Sequence, residues 1–250
     1  MITFDLAFFA LAIPAVIFAG ISKAGFGSGA AFASAAILAL VLPPGAALGV
    51  MLPLLMLIDV ASLRPYWGKW HWPSAAGLMI GAVPGVAFAA WVYASVEADA
   101  IRVLIGAICL AFVAYQILAR RGAFGGNWRF SRRWAWATGC FAGFTSFVSH
   151  AGGPPVAVFL LGQGMAKTTY QATTVIVFWT INLLKFVPYA FLGIFTWNSL
   201  LADLFLAPFA LLGTWLGVRA HHWVSERLFF AFTYTALVLT GARLLWLGLS

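Results

Sequence analysis

The chain has 250 residues, of which 64% are hydrophobic and 8% are charged, and its formal net charge is +8. Soluble domains carry about 25% charged residues, so most of this apolar surface must face lipid or other membrane helices. The basic residues lie mainly between apolar segments and form no patch interleaved with aromatic residues, which argues against a nucleic-acid partner. The composition therefore predicts a multi-pass protein of the lipid bilayer.

Ten apolar segments follow one another in two groups of five. The first group comprises 4–21, 26–42, 46–63, 72–96 and 101–119, and the second comprises 134–149, 156–165, 170–194, 198–218 and 228–246. We divide the chain accordingly into a first membrane repeat (1–119), a basic linker (120–133) and a second membrane repeat (134–250). A span needs about 20 apolar residues, so the short first two segments of each group are predicted either to span or to form half-helices that re-enter.

The two groups share short motifs. Phe18-Ala19-Gly20 recurs as Phe141-Ala142-Gly143, and a polar, glycine-rich stretch follows each copy. We call Ser22-Lys23-Ala24-Gly25-Phe26-Gly27-Ser28-Gly29 the first break and Ser149-His150-Ala151-Gly152-Gly153-Pro154-Pro155 the second break. A helix is predicted to open after each, at Ala30 and at Val156. These similarities predict an all-α protein built from two repeats.

Lysine and arginine set the predicted orientation, because cytoplasmic loops are enriched in both. One arrangement puts ten of the fourteen basic residues inside and both termini in the periplasm. The inside residues are Arg64, Lys69, Arg120, Arg121, Arg129, Arg132, Arg133, Lys167, Arg219 and Arg227. Whether the short pairs span or re-enter, each half then crosses the membrane an odd number of times. The second half is therefore predicted to be inverted relative to the first.

The two breaks are the strongest functional signal. Irregular backbone at membrane depth is tolerated where it is buried in protein or lines a cavity. Inverted repeats with discontinuous helices are common in secondary transporters, whose half-helix N-termini attract anions. This predicts substrate contacts at backbone and side-chain groups of Gly25, Gly27, Ser28, Gly29, Gly152 and Gly153. The alternative is that these small residues allow close packing of helices.

Each break contains one residue that can be cationic. Lys23 lies between apolar segments, where a charge costs at least about 2.5–3.5 kcal/mol. It is predicted to bind an anionic substrate, the alternative being that its side chain extends to the cytoplasmic surface. His150 is predicted to carry a proton or to donate to the anion. The alternative for His150 is a structural residue satisfied by backbone groups.

Three further polar residues lie deep in apolar segments. Lys185 stands about two-thirds along segment 170–194, and Asn182 shares its helix face. Asp59 lies similarly deep in segment 46–63. Intramembrane ionisable residues are functional candidates by default, so Lys185 and Asn182 are predicted to bind substrate and Asp59 to hold a coupling proton or balance charge. The alternative is a structural ion pair of Asp59 with Lys23 or Lys185.

No metal-ligand set or cofactor motif is predicted. Cys109 and Cys140 are interpreted as small buried hydrophobic residues. An intramembrane enzyme is weakened as an alternative, because the side chains of adjacent Ser149 and His150 diverge on a helix. Other serines, including Ser28 and Ser146, keep this alternative open. A passive anion channel is the nearer alternative to a carrier.

The two breaks and the duplicated arrangement resemble the sulfite exporter TauE/SafE family of bacterial membrane proteins. The resemblance covers nearly the whole chain and extends to Lys185-Phe186-Val187-Pro188-Tyr189 with Leu192-Gly193. It implies secondary transport of sulfur-containing anions, such as sulfite or small organosulfonates, across the inner membrane. Many members carry a glycine-rich run in both halves, whereas the second break here contains His150, Pro154 and Pro155.

Overall fold

The structure is a computed structural model that describes residues 4–25, 31–120, 131–220 and 226–250. The described residues form helices and no strands, which confirms the predicted all-α class. The ten helices are α1 (Leu6–Gly25), α2 (Phe32–Leu38), α3 (Pro44–Tyr66), α4 (Trp72–Ser95), α5 (Ala98–Arg120), α6 (Arg132–Ser149), α7 (Gly153–Leu161), α8 (Lys167–Phe191), α9 (Trp197–Ala220) and α10 (Glu226–Leu249).

Six of the described helices are long and apolar enough to cross a membrane, namely α1, α3, α4, α5, α8 and α9. Large apolar side chains project from their outer surfaces, including Trp91 at 65% and Leu204 at 70% exposure. A surface of this kind is stable in lipid and unfavourable in water. The polar residues of interest are instead turned inward, as described below.

The first break begins later than predicted. Helix α1 continues through Ser22 and Lys23 to Gly25, because a lysine flanked by small residues is compatible with helix. The described part of α2 begins at Phe32, and Gly27, Ser28 and Gly29 lie outside the described residues, as does most of the linker. Lys23 therefore stands on the last turn of a helix and not in an irregular loop.

The second break is also shifted. Helix α6 ends at Ser149, and α7 begins at Gly153, three residues before the predicted start at Val156. Proline fits early helical positions, where a missing N–H removes no intrahelical bond, so Pro154 and Pro155 become part of the first turn. Helices α2 and α7 contain 7 and 9 residues, which is too short to span a bilayer. The predicted short helices are thus present in both halves.

The two halves interlock through their long helices. Helix α1 packs along α9 and α6 packs along α4, so the first helix of each half lies on the fourth helix of the other. Helices α3 and α8 pack against each other in the interior, and α5 packs against α10. Interior side chains of both halves consequently meet along α3 and α8.

Glycine makes these interlocking contacts possible. A Cβ atom on Gly85 of α4 would lie 1.9 Å from the Cys140 carbonyl oxygen of α6, and one on Gly139 would lie 2.2 Å from the Leu78 oxygen. At the contact of α1 with α9, a Cβ on Gly25 would lie 2.6 Å from the Gly217 oxygen. Small residues that allow backbones to touch are the usual means of packing membrane helices.

Candidate functional site

Helices α3 and α8 meet at Asp59 and Asn182. The Asn182 Nδ2 donates a hydrogen bond of 2.7 Å to the Asp59 Oδ2. Asp59 follows the first residue of α3 by 15 positions, and Asn182 follows the first residue of α8 by 15. Both are buried, with exposures of 1% and 2%. Two buried residues at the same distance from the start of their helices thus touch, one from α3 and one from α8.

A second pair of residues at matching positions in α3 and α8 also makes contacts between the two halves. The Gln171 Nε2 of α8 donates to the Lys23 carbonyl oxygen at 2.7 Å, and the Leu48 carbonyl oxygen of α3 lies 3.3 Å from the His150 Nε2. Gln171 and Leu48 each follow the first residue of their helix by four positions. The first turns of α3 and α8 therefore each contact the break of the other half.

Lys23 forms an ion pair with Asp59. Its Nζ lies 2.6 Å from the Asp59 Oδ1 and 3.4 Å from the Leu55 carbonyl oxygen, and Lys23 is only 4% exposed. The side chain therefore turns into the protein and does not extend to the membrane surface. Of the two predicted lysine partners for Asp59, the structure selects Lys23. This pair is also hydrogen-bonded by Asn182, which is the arrangement that a buried ion pair needs.

Lys185 is fully buried and is surrounded by neutral acceptors. Its Nζ lies 3.1 Å from the Ser146 carbonyl oxygen, 3.0 Å from the Ser146 Oγ and 2.9 Å from the His150 Nδ1. Within the described part of the chain, no carboxylate forms an ion pair with Lys185. With Lys185 as an ammonium, Nδ1 of His150 accepts, and its Nε2 carries the proton and donates to Leu48.

His150 has an unusual backbone conformation. It is the C-cap of α6 and has φ = 56°, which makes it the one described non-glycine residue with a positive φ. Its N–H donates to the Ser146 oxygen at 2.9 Å, and the N–H of Ala151 donates to the Thr145 oxygen at 3.2 Å. Glycine or asparagine is usual at this position, and strained residues cluster at functional sites. The turn aims the imidazole at Lys185.

A small cavity of about 10 Å³ lies beside Lys23, and two of its lining residues, Ser146 and His150, contact Lys185. Its walls come from both halves, namely from Lys23, Ala31, Leu55, Ser146, His150, Phe178 and Asn182. A volume near 10–15 Å³ holds about one water molecule. The side chains of the site therefore leave a space smaller than an oxyanion.

The described glycines that were predicted to contact substrate pack against neighbouring backbone. Gly25 packs on Gly217, and a Cβ on Gly152 would lie 2.8 Å from the Ala142 oxygen. Gly153 is the first residue of α7, where Pro154 and Pro155 remove two of the early N–H donors. The geometry of Gly25 and Gly152 matches the packing alternative, while Gly27, Ser28 and Gly29 lie outside the described residues.

Four residues of the cavity wall carried no substrate prediction, namely Ala31, Leu55, Ser146 and Phe178. Ser146 bonds to Lys185 through both its carbonyl and its hydroxyl oxygen, and Phe178 lies under the Lys23 Nζ at 5.9 Å from the ring centroid. Ser146 precedes His150 by four positions. This helical spacing from a predicted site residue could have identified Ser146 from the sequence. No feature of the sequence distinguishes Phe178 from the other phenylalanines, of which the chain has 23 in total.

The hydrogen bonds of Ser149 oppose a hydrolase built on Ser149 and His150. Its hydroxyl donates to the Thr145 carbonyl oxygen at 3.0 Å, one turn back in the same helix. His150 contacts Lys185 and Leu48 instead. The adjacent serine and histidine therefore do not form a nucleophile–base pair in this structure.

Comparison with known families agrees with the two breaks. The family model described as sulfite exporter TauE/SafE matches residues 12–244. The chain belongs to this family. It is a multi-pass membrane protein of a transporter family, and membership points to membrane transport of sulfite or related sulfur anions. No curated protein and no solved structure matches the chain.

Proposed function

We propose that this TauE/SafE protein is a secondary carrier for a small sulfur oxyanion, such as sulfite or a short organosulfonate, in the inner membrane. The observation that carries the proposal is the central cavity, whose walls bear buried cationic and hydrogen-bonding groups from both halves. Concave sites with a few convergent polar groups are the usual form of ligand sites. In inverted-repeat transporters such sites lie at the interface of the halves.

The charges of the site favour an anion. Lys23 and Asp59 neutralise each other, whereas Lys185 contacts only neutral acceptors. With His150 neutral, the net charge of the site is +1, summed over Lys23, Asp59, Lys185 and His150. An unbalanced charge in the membrane interior is costly, and an anion at Lys185 offsets that cost. We therefore assign the principal substrate contact to Lys185, with Ser146, His150 and Asn182 as hydrogen-bonding groups.

The small volume of the cavity favours a carrier over a channel. An oxyanion needs more space than about 10 Å³, so the walls must separate to admit it. Leu55 and Phe178 are apolar walls that such a movement would displace. A site that opens to bind and closes around its ligand is the basis of alternating access.

Proton coupling is the further part of this proposal. When an anion accepts the hydrogen bond of Lys185, the His150 Nδ1 loses its donor and becomes free to bind a proton. Substrate and proton would then occupy neighbouring atoms and stabilise each other electrostatically. In this scheme Asp59 balances Lys23, and His150 holds the coupled proton.

Counter-transport in proteoliposomes tests the carrier. Vesicles loaded with unlabelled sulfite should take up labelled sulfite faster than empty vesicles, and uptake should saturate. Lys185→Met should weaken apparent affinity by about ten- to a hundredfold, because an ion pair at 4 Å contributes about 4 kcal/mol before desolvation. Lys69→Met is the matched control, since Lys69 is exposed and donates to the Pro65 carbonyl.

Two outcomes would contradict the proposal. Flux that neither saturates nor responds to internal sulfite would identify a passive channel. An unchanged affinity in Lys185→Met would remove Lys185 from the site. For the coupling step, an imposed pH gradient should drive accumulation in the wild type, and accumulation that persists with a protonophore present would exclude proton coupling.

A further inference from the structure

A second cavity of about 530 Å³ lies on the outside of the helix bundle, between α5, α6 and α7. Its walls are apolar and aromatic and include Tyr115, Trp134, Phe141, Pro155 and Phe159. Trp134 and Phe141 are 55% and 60% exposed, so the cleft opens towards the surface that faces lipid. The volume is within the range of about 300–1,000 Å³ that is usual for ligand sites.

The length of the cleft matches one leaflet of a bilayer. Trp134 and Thr145, eleven residues apart on α6, both line it. At 1.5 Å per residue this corresponds to about 17 Å along the helix. Half of a hydrocarbon core is about 15 Å. A single extended acyl chain would therefore fill the cleft from the interface to the middle of the membrane.

A basic residue stands at the interfacial end of the same helix face. Arg133 precedes Ala137 and Phe141 by four and eight positions, and both of these line the cleft. Arg133 is exposed, and no acidic side chain is paired with it in the described part of the chain. Arg132 is different, because its guanidinium stacks on Trp136, 4.9 Å from the ring centroid.

We propose that this cleft binds one anionic phospholipid, with an acyl chain along α6 and the phosphate at Arg133. Basic residues beside a gap between membrane helices are suited to anionic headgroups, and the guanidinium matches phosphate geometry. The apolar walls supply the affinity for the chain. The positive charge selects an anionic lipid over a zwitterionic one.

The lipid would also touch the turn that holds the central site. Ala151 and Pro154 line the cleft, and Ala151 follows His150 directly. A chain packed against this turn would restrain the left-handed conformation of His150. The bound lipid would thus act as a structural ligand of the second break.

Native mass spectrometry of the detergent-purified protein tests the headgroup. Phosphatidylglycerol should be retained about fivefold more strongly than phosphatidylcholine, since one basic residue near the surface contributes about this factor. Arg133→Gln should abolish the preference, and Arg132→Gln should keep it. Equal retention of the two lipids by the wild type, or loss of the preference in both variants alike, would overturn the assignment of the phosphate to Arg133.

A second variant tests the cleft. Ala137→Trp should narrow the cleft and remove retention of both lipids, whereas Ala87→Trp, on an exposed face of α4, should not. Both are compared as monodisperse folded protein. Retention unchanged by Ala137→Trp would overturn the cleft as the site. Spontaneous cross-linking of Tyr115→Cys with Pro155→Cys without lipid retention would show that α7 closes on α5, which also overturns the proposal.

Discussion

Asn182 donates to Asp59 from the same position in its helix that Asp59 occupies in its own. The contact joins the two halves at the carboxylate that balances Lys23. One asparagine thereby orients an ion pair that belongs to the other half. A movement of α8 relative to α3 would strain or break this hydrogen bond. Variants of the residues around Asp59 therefore test the site directly.

We expect Lys23→Met to destabilise the protein, because it leaves Asp59 buried without its counter-ion. Removing one partner of a buried ion pair costs about 3–5 kcal/mol. The double variant Lys23→Met with Asp59→Asn should recover most of this loss, since both charges are then absent. Thermal unfolding in detergent on both single variants and the double measures the coupling.

Anion affinity on the same variants separates two roles of Lys23. If affinity returns with stability in the double variant, Lys23 is a structural partner and the substrate depends on Lys185. If stability returns while affinity stays low, Lys23 contacts the substrate directly. A double variant as unstable as Lys23→Met would show that the ion pair does not govern stability.

We expect His150→Asn and His150→Val to differ in stability although both remove the imidazole. Asparagine tolerates a positive φ, whereas a β-branched residue at φ = 56° is strained by about 1–2 kcal/mol. Thermal unfolding should therefore place His150→Val below His150→Asn. Both should lose pH-driven sulfite accumulation. Full accumulation in His150→Asn would remove His150 from the coupling scheme.

We expect Gly25→Ala to lower stability by about 1–3 kcal/mol, as overpacking does, because its Cβ would meet the Gly217 oxygen at 2.6 Å. The anion affinity of the folded fraction should be unchanged. Unfolding curves and equilibrium binding on the purified variant measure the two effects separately. Weakened binding at wild-type stability would instead place Gly25 among the substrate contacts.

The orientation predicted from lysine and arginine is tested by fusing reporters after Ser250. An enzyme reporter that is active only in the periplasm should be active there, because both termini are expected outside. A fluorescent protein that matures only in the cytoplasm should stay dark. Bright fluorescence from that fusion would contradict the predicted orientation.

The membrane class, the helix count and the short helices were predictable from the sequence. Lipid imposes a length and a composition on each span, and both can be read from a single chain. The deep positions of Asp59 and Lys185 were predictable for the same reason, since a charge inside an apolar segment is visible without coordinates. The ends of the helices were less predictable from the sequence, because Ser22 and Lys23 are compatible with both helix and loop.

Only the tertiary structure decided how the charged residues are paired. The sequence left Lys23 and Lys185 as alternative partners of Asp59, since both lie deep in apolar segments and pairing depends on how α1, α3 and α8 pack. The structure joins Asp59 to Lys23 and places Lys185 against Ser146 and His150. Contacts more than a hundred residues apart along the chain, such as Asn182 with Asp59, arise from interlocking of the two halves, which no local pattern encodes.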